Sequence, residues 1–140
     1  MAVNTGLLEY ITGLVIREIE QMGHTAGISA PKVIPVGISA RHVHLQPDHL
    51  EALFGKGYKL KKLKDLSQPG QVAAEETVTI TGPRGSIAKV RILGPERKQT
   101  QVEISASDAR TLGVPKVVRN SGDLEGTPGI TITGPMGSVD

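Results

Sequence analysis

The sequence predicts a mainly β domain with short helices, preceded by an amphipathic N-terminal helix. Seventeen glycines and nine prolines among 140 residues favour many short strands joined by tight turns. Apolar residues make up 38% of the chain and aromatic residues only 2%, so the core must consist of valine, isoleucine, leucine and alanine. That composition suits a sheet better than a helical bundle.

The amphipathic helix is predicted at residues 5–22, with an N-cap at Thr5 and a stop at Gly23. Its apolar residues recur at the spacing of one helix face: Leu8, Ile11, Val15, Ile19 and Met22. Residues 23–31 are small and polar, so we predict a linker that separates residues 1–31 from a domain at 32–140. Such a helix either docks onto a partner or folds back onto its own domain, and the sequence leaves both open.

A β-strand is predicted at Ile38–Leu45, because β-branched residues from Val33 onward are bounded by turn-forming residues. Side chains on a strand alternate between its faces, so His42 and His44 project to the same side. Two imidazoles in this arrangement can bind one zinc ion, but a catalytic zinc usually takes three protein ligands. The alternative is a hydrogen-bonded histidine pair without a metal.

The next element is a short helix predicted at Pro47–Phe54 and ending at Gly55. Five lysines follow between residues 56 and 64. We predict that they line a solvated edge strand whose charges oppose aggregation. Alternatively, they attract a polyanionic cofactor, with Lys59, Lys61 and Lys62 as the candidate contacts.

The remaining strands are predicted from apolar, β-branched runs between turns, at residues 72–81, 86–93, 100–104 and 117–118. The first two form a hairpin around the turn at 82–85. A short helix at 108–112 is predicted to be capped by Ser107 and to end at Gly113. Further turns are predicted at 67–70 and 120–123.

An internal repeat relates two hairpin sequences. Val78–Ile87 returns 52 residues later as Ile130–Val139, and both copies contain the turn Gly-Pro-x-Gly-Ser. The second copy ends two residues into its return strand, so we expect the Ile130–Thr133 strand to lack its partner. We therefore expect the chain to be a fragment of a longer protein.

The candidate third metal ligand is Glu103, which lies in mid-strand between two β-branched residues. A half-buried carboxylate in such a position usually has a cation as its partner. Glu75 and Glu76 are rival ligands, but they adjoin turn-rich sequence and are expected to be more solvated.

An anion site is predicted near Arg97, which lies in a Gly-Pro loop six residues before the candidate third ligand. Its guanidinium group can bind two phosphate oxygens at once. Ser39, Arg41 and Ser121 are candidates for further donors.

Several classes of protein are excluded or disfavoured. The chain has no cysteine, which excludes disulfides, thiolate zinc sites and a cysteine nucleophile within it. The net charge is only +2, the three aromatic residues give almost no platform for stacking bases, and no P-loop or dinucleotide fingerprint is complete. We expect no nucleic acid and no membrane as partner, and a cytosolic location, because neither a secretory signal nor a long apolar run is found.

Five segments resemble the PduL-type phosphotransacylases, also called phosphate propanoyltransferases: Ser39–Leu45, Gln68–Gly70, Leu93–Arg97, Thr100–Ser105 and Arg119–Asp123. The resemblance runs in order from Val33 to Asp140 and is to the N-terminal two-thirds of the family. It implies a β-barrel with short capping helices. It also implies an enzyme that interconverts acyl-CoA plus phosphate with acyl phosphate plus CoA, for short acyl groups such as propanoyl.

The resemblance assigns roles to individual residues. It implies zinc bound by His42, His44 and Glu103, and it places the catalytic residues Arg97, Ser39 and Ser121 around the phosphate and thioester. The family holds a second zinc through a later His-x-His strand and a further histidine. This sequence has no histidine after His49, so we expect only half of the site in residues 32–140.

Family members of bacterial microcompartments, including those of propanediol degradation, carry an N-terminal encapsulation peptide on a linker. Residues 5–31 look like such a peptide, which implies shell or core proteins as partners and a location inside a microcompartment. Two alternatives remain: a catalytically inactive docking or assembly module, and a zinc site that is purely structural. The sequence leaves homo-oligomerisation open.

Overall fold

The computed structural model describes residues 12–17, 33–34 and 36–140. The chain divides into two compact units, Met1–Gly37 and Ile38–Asp140. In the first unit, residues 12–17 are helical. The rest of the helix predicted at 5–22, and the whole linker predicted at 23–31, lie outside the described residues. Among the described helices, none combines the length and the apolar character needed to cross a bilayer.

The Ile38–Asp140 unit is a curled, half-barrel sheet with two short helices, which confirms the predicted mainly β class. Its elements are β1 (His42–His44), α1 (Pro47–Phe54), β2 (Lys62–Asp65), β3 (Val72–Gly82), β4 (Gly85–Gly94), β5 (Gln101–Glu103), α2 (Ala106–Leu112), β6 (Thr131–Thr133) and β7 (Ser138–Val139). The strand order is β5-β1-β4-β3-β6-β7, and β2 pairs with β3 beside this path. The long hairpin β3–β4 therefore forms the middle of the sheet, and β1 lies between β4 and β5.

Strand β1 is shorter than predicted. Residues 36–41 have no regular secondary structure, and Val36 and Ile38 are 87% and 97% exposed. The prediction from Ile38 was wrong because β-branched residues form a strand only where another strand pairs with them. Only His42–His44 have such partners, β4 on one side and β5 on the other.

The two helices begin and end at well-defined residues. Helix α1 has Pro47 at its first position and Gly55 as its C-cap, as predicted. Helix α2 begins earlier than predicted, because its N-cap is Ser105 and not Ser107. The Ser105 hydroxyl accepts a hydrogen bond from the Asp108 backbone N–H, and the Asp108 carboxylate accepts one from the Ser105 backbone N–H. This reciprocal capping box satisfies two N–H groups that the helix cannot pair internally.

Two further sequence expectations were wrong. Residues 117–118 form no strand, and Val118 is 92% exposed, since no neighbouring strand of the described unit pairs with them. The strand predicted at Ile130–Thr133 does have partners: β6 pairs antiparallel with both β3 and β7.

The two hairpins of the repeat pack against the ends of the two helices in the same way. The Arg84 N–H donates to the Leu112 carbonyl at 2.9 Å, and the Met136 N–H donates to the Leu53 carbonyl at 3.0 Å. Gly82 and Gly134 lie so close to these same carbonyls that neither position has room for a side chain. Each Gly-Pro turn thus anchors a helix C-terminus, α2 in the first copy and α1 in the second.

The core lies between the curled sheet and the two helices. It consists almost entirely of aliphatic side chains, as the composition requires: Val43, Leu45, Leu50, Leu53, Ala74, Val78, Ile80, Val90, Ile92, Leu112 and Ile132. Among the described residues, the largest fully buried side chains are leucine and isoleucine, so the core holds no fully buried aromatic ring.

An ion pair between the exposed Arg41 and the buried Asp108 joins the entry of β1 to helix α2. The Arg41 guanidinium contacts both carboxylate oxygens of Asp108, at 3.0 and 2.7 Å. Asp108 is only 5% exposed, and the hydrogen bond from Arg41, supported by those from Ser105, lowers the pKa of its carboxyl. A depressed folded-state pKa stabilises the fold above the ordinary carboxyl pKa, and this stabilisation is lost as the pH falls through the folded value.

We predict that Asp108→Asn lowers the free energy of unfolding at pH 7 by about 1–3 kcal/mol, because a neutral amide replaces the buried carboxylate that accepts hydrogen bonds from Arg41 and from the Ser105 backbone N–H. The matched control is Asp65→Asn, whose ion pair with Lys62 is 2.6 Å long but exposed on both sides. The control should change stability by less than about 0.5 kcal/mol. Urea unfolding followed by circular dichroism measures both. The difference between Asp108→Asn and the unmodified chain should shrink as the pH is lowered below the ordinary carboxyl range, and a constant difference would contradict the pKa argument.

Candidate metal centre

The centre of the candidate site is one face of the β1–β5 pair. The two strands run antiparallel, with His42 opposite Glu103 and His44 opposite Gln101. Because side chains alternate along a strand, these four polar residues share one face, while Val43 packs into the core on the other. His42, His44 and Gln101 are 8%, 2% and 6% exposed, so three polar side chains are buried beside the carboxylate. Buried polar groups need partners, which is the first sign of a built site.

The ligand atoms of three residues converge. The Nε2 atom of His42 is 3.4 Å from one Glu103 oxygen, and the Nε2 atom of His44 is 3.8 Å from the other. All three ligand atoms lie within 4.8 Å of one another. Donor atoms around a tetrahedral zinc ion, at bonds of about 2.1 Å, lie about 3.4 Å apart. The observed separations therefore fit a metal ion with only small side-chain movements.

The protonation of His42 favours a cation between the three groups. Its Nδ1 atom lies 2.8 Å from the Ala40 carbonyl oxygen, which can only accept, so Nδ1 carries the proton. A neutral ring then presents the lone pair of Nε2 to the Glu103 carboxylate. Two electron-rich groups facing each other need a proton or a metal ion between them. A hydrogen bond from the second ring nitrogen to a backbone carbonyl is also the usual way in which a metal-binding histidine is oriented.

His44 is held in the form that binds metals. Burial, followed by the positive charge of Arg97, lowers its pKa to about 4, so the ring is neutral at pH 7. Its Nε2 atom is too far from Glu103 for a direct hydrogen bond, and its buried Nδ1 atom has no hydrogen-bond partner. The Leu93 backbone interacts with the ring, but the Nε2 atom that faces Glu103 makes no direct hydrogen bond to it. A metal ion at Nε2 would supply the missing partner.

The rival carboxylates are used elsewhere or point to solvent. Glu75 is exposed. Glu76 is 8% exposed, contrary to the expectation of a solvated side chain, and it accepts hydrogen bonds from the Tyr58 hydroxyl at 2.8 Å and the Lys61 backbone N–H at 3.1 Å. It therefore fastens the segment before β2 to strand β3. Of the three candidates, only Glu103 reaches the histidine pair.

Arg97 lies beside this cluster because its loop is anchored to the end of β1. Its backbone N–H donates to the Leu45 carbonyl at 2.9 Å, and its guanidinium donates to the Ser121 hydroxyl at 2.9 Å. The Ser121 hydroxyl in turn lies 3.4 Å from Glu103. The structure thus brings two predicted anion-binding residues, Arg97 and Ser121, to the edge of the candidate metal centre.

The other predicted site residues lie apart from it. Ser39 is exposed, and its recorded hydrogen bond is a 3.5 Å contact with the neighbouring Ala40 carbonyl. Lys59, Lys61 and Lys62 are exposed in or just before β2. Two strands, β3 and β4, separate β2 from β1, a distance of about 14 Å at the usual strand spacing.

Sequence reasoning missed Gln101. Its side-chain amide donates to Glu103 at 2.7 Å and to Ser121 at 3.1 Å, and its carbonyl accepts from the Gly122 N–H at 2.8 Å. The available signal was its position two residues before Glu103, which places both on one strand face.

A cavity of about 620 Å³ opens next to β5, with Glu103 and Ser121 in its wall. The rest of its lining combines aliphatic residues, including Val102, Ile104 and Ile130, with a similar number of polar residues, including Lys116 and Arg119. A mixed lining of this kind and size is typical of sites for small organic ligands.

Comparisons with known proteins place these features in a family. A family model described as phosphate propanoyltransferase matches residues 35–140. Three curated proteins named phosphate propanoyltransferase are similar to the chain. The one from Thermotoga maritima is 59% identical over 122 residues, covering 87% of this chain and 56% of that protein. The one from Rhodobacter capsulatus is 50% identical over 125 residues, covering 89% and 58%. The one from Clostridioides difficile is 57% identical over 107 residues, covering 76% and 51%. The chain therefore spans about half the length of the curated relatives it matches.

We predict that zinc ions raise the melting temperature of the chain and that Glu103→Gln removes most of this effect, because the amide oxygen is a poorer ligand than a carboxylate. At a free zinc concentration one hundred times the dissociation constant, the unmodified chain should gain about 2.7 kcal/mol. The matched control is Glu75→Gln, which removes an exposed carboxylate and should keep the full effect. Thermal unfolding with zinc and with a chelator measures it. An equal gain in Glu103→Gln would remove Glu103 from the site.

Proposed function

Because the chain belongs to the phosphate propanoyltransferase family, we propose that it carries part of the active site of an enzyme that transfers a short acyl group between coenzyme A and inorganic phosphate. In this reaction a phosphate oxygen forms a bond to the thioester carbonyl carbon, and the bond from that carbon to sulfur breaks. The acyl phosphate and the thiolate of coenzyme A are the products. The observation that carries the proposal is the convergence of His42, His44 and Glu103 beside Arg97.

His42, His44 and Glu103 would hold a zinc ion, since two neutral imidazoles and one carboxylate are a common donor set for catalytic zinc. When bound, such an ion supplies a Lewis acid that polarises a carbonyl group and stabilises a departing thiolate. The residues themselves keep the site in the right protonation state. Burial keeps His44 neutral at pH 7, and the Ala40 carbonyl holds the proton of His42 on the nitrogen that faces away from Glu103.

Arg97 and Ser121 would bind the phosphate. The guanidinium can donate two parallel hydrogen bonds to phosphate oxygens, and the adjacent hydroxyl can donate one more. Their present contact, 2.9 Å long, holds both groups together at the edge of the centre. Fixing the nucleophile near the carbonyl turns a bimolecular reaction into an effectively unimolecular one. The chain contains no cysteine, so we propose direct attack by phosphate rather than transfer through a thioester on this chain.

Two further assignments are part of the proposal. The exposed lysines Lys59, Lys61 and Lys62 would attract the phosphate groups of coenzyme A, an extended ligand whose nucleotide end is remote from its thiol. Ser39 would donate a hydrogen bond near the thioester.

We predict that Arg97→Ala lowers the rate of acyl transfer about 10²–10³-fold, with a smaller loss in Arg97→Lys, because lysine keeps the charge but not the paired hydrogen bonds. The assay follows thiol release from propanoyl-CoA and phosphate. It uses the chain alone and the chain joined to the remaining region of the Thermotoga maritima relative. Arg110→Ala, which removes an exposed arginine in the last turn of α2, is the matched control. Thiol release by neither protein would contradict the proposed function, and an unchanged rate in Arg97→Ala would contradict the role of Arg97.

A second candidate function is docking. Residues 12–17 are helical, and Leu14, Val15 and Ile16 are about half exposed, at 44%, 51% and 50%. Exposed apolar residues on a helix favour a partner surface. We propose that residues 5–22 bind a shell or core protein of a bacterial microcompartment and place the chain inside it.

We predict that a fluorescent protein carrying residues 1–31 sediments with purified microcompartment shells. Val15→Pro should abolish this because proline breaks a helix interior. Arg17→Lys, which preserves charge and helix propensity, should have no effect. Equal sedimentation of all three fusions, or of the fluorescent protein alone, would contradict a helix-dependent interaction.

A further inference from the structure

We propose that Gln101 is a positioning residue that holds the carboxylate of Glu103 against the histidine pair and fastens the turn at residues 120–123 to the same centre. This inference rests on the proposed function, because it assigns Gln101 to the metal site described there. It adds a residue that would touch neither the metal ion nor the phosphate but would fix the positions of the side chains that bind them.

The hydrogen bonds of Gln101 fix the orientation of its amide group. The Gly122 backbone N–H, 2.8 Å away, can only donate, so the group that faces it must be the amide oxygen. The amide nitrogen must then face Glu103 and Ser121, and both of its hydrogens have acceptors, at 2.7 and 3.1 Å. With the residue only 6% exposed, turning the amide over would place a buried donor against the Gly122 donor. The observed orientation is therefore the stable one.

The position of Glu103 depends on this contact. Its side chain is 38% exposed and has several rotatable bonds, so water competes for the carboxylate. The hydrogen bond from Gln101 to Oε1 leaves Oε2 facing the Nε2 atom of His42 at 3.4 Å. Removing such an outer partner of a metal-binding carboxylate typically weakens metal binding 10–100-fold.

Gln101 is not itself a ligand. Its oxygen faces the Gly122 N–H, and the nitrogen that faces Glu103 has no lone pair available for a metal. The hydrogen bonds from Gln101 to Glu103 and to Ser121 connect the metal centre to the anion site, because the Ser121 hydroxyl also accepts from Arg97 at 2.9 Å. Ser121 and Gly122 are both exposed, and Gln101 makes the two shorter of the three hydrogen bonds that join this turn to β5.

The experiment uses Gln101→Met, which keeps the length and flexibility of the side chain but removes its donors and acceptor. Gln68→Met, in the exposed turn at 67–70, is the matched control. Zinc affinity is measured by competition with a coloured chelator, and the visible spectrum of bound cobalt reports the ligand geometry. Amide hydrogen exchange at Gly122 is measured on the chelator-treated chain, and circular dichroism confirms that each variant is folded. Gln101→Leu replaces the methionine variant if the latter does not fold.

We expect Gln101→Met to bind zinc 10–100-fold more weakly, to shift the cobalt spectrum and to speed exchange at Gly122, with no such changes in Gln68→Met. Unchanged zinc affinity, cobalt spectrum and Gly122 exchange in a folded Gln101→Met chain would overturn the inference. Zinc binding that is absent from the unmodified chain itself would instead overturn the proposed metal site. If the unmodified chain binds no zinc, faster exchange at Gly122 in Gln101→Met still supports the anchoring of the turn by Gln101. Unchanged exchange at Gly122 overturns that anchoring as well.

Discussion

Strand β1 can carry two buried imidazoles because both of its edges are paired. It runs parallel to β4, with Val43 opposite Ile92, and antiparallel to β5, with Val43 opposite Val102. Val43 is fully buried in the aliphatic core, so His42 and His44 must project from the other face. A slip of one residue would turn both imidazoles into the core, at the cost of burying polar groups without partners. The pairing of His42–His44 with both neighbouring strands thus determines which face of the sheet carries the candidate metal centre.

Of the two arginines near this centre, one is paired with a carboxylate and the other is not, and this difference would favour an anion beside Arg97. Arg41 is adjacent in sequence to the histidines, but its charge is neutralised by Asp108. Arg97 has no carboxylate partner among the described residues, and its charge is felt at His44, where it lowers the pKa. A divalent cation held by Glu103 and two neutral rings would keep a net positive charge beside an unpaired guanidinium. Such a region attracts a dianion such as phosphate and leaves it close to an electrophile.

The sequence was informative where one local pattern determines the structure. The Gly-Pro turns, the helix at Pro47–Phe54 and the alternation of faces at 42–44 were predicted because each depends on neighbouring residues only.

The errors arose where a competing signal in the sequence, or a partner distant in the sequence, determines the structure. The strand at 117–118 and the long form of β1 have suitable residues but no strand beside them. Ser105 rather than Ser107 caps α2 because only Ser105 has an acidic residue three positions later. Gln101 was missed since its role depends on Gly122 and Ser121, which approach only after folding.

The repeat extends further than the two hairpins and explains the composition of the centre. Strand β1 with helix α1 corresponds to strand β5 with helix α2, and each helix ends on the Gly-Pro turn of the hairpin in the other half. The β1–β5 pair is centred on Val43 opposite Val102, so an approximate two-fold axis passes between these residues.

The axis makes His44 equivalent to Glu103 and His42 equivalent to Gln101. Four ligating side chains on this face would complete a tetrahedral shell, and a closed shell is characteristic of structural zinc. Gln101 breaks the symmetry, because its oxygen faces the Gly122 N–H and its nitrogen faces Glu103. Three candidate ligands then remain, and a metal ion bound to them would keep the open position that is characteristic of catalytic zinc.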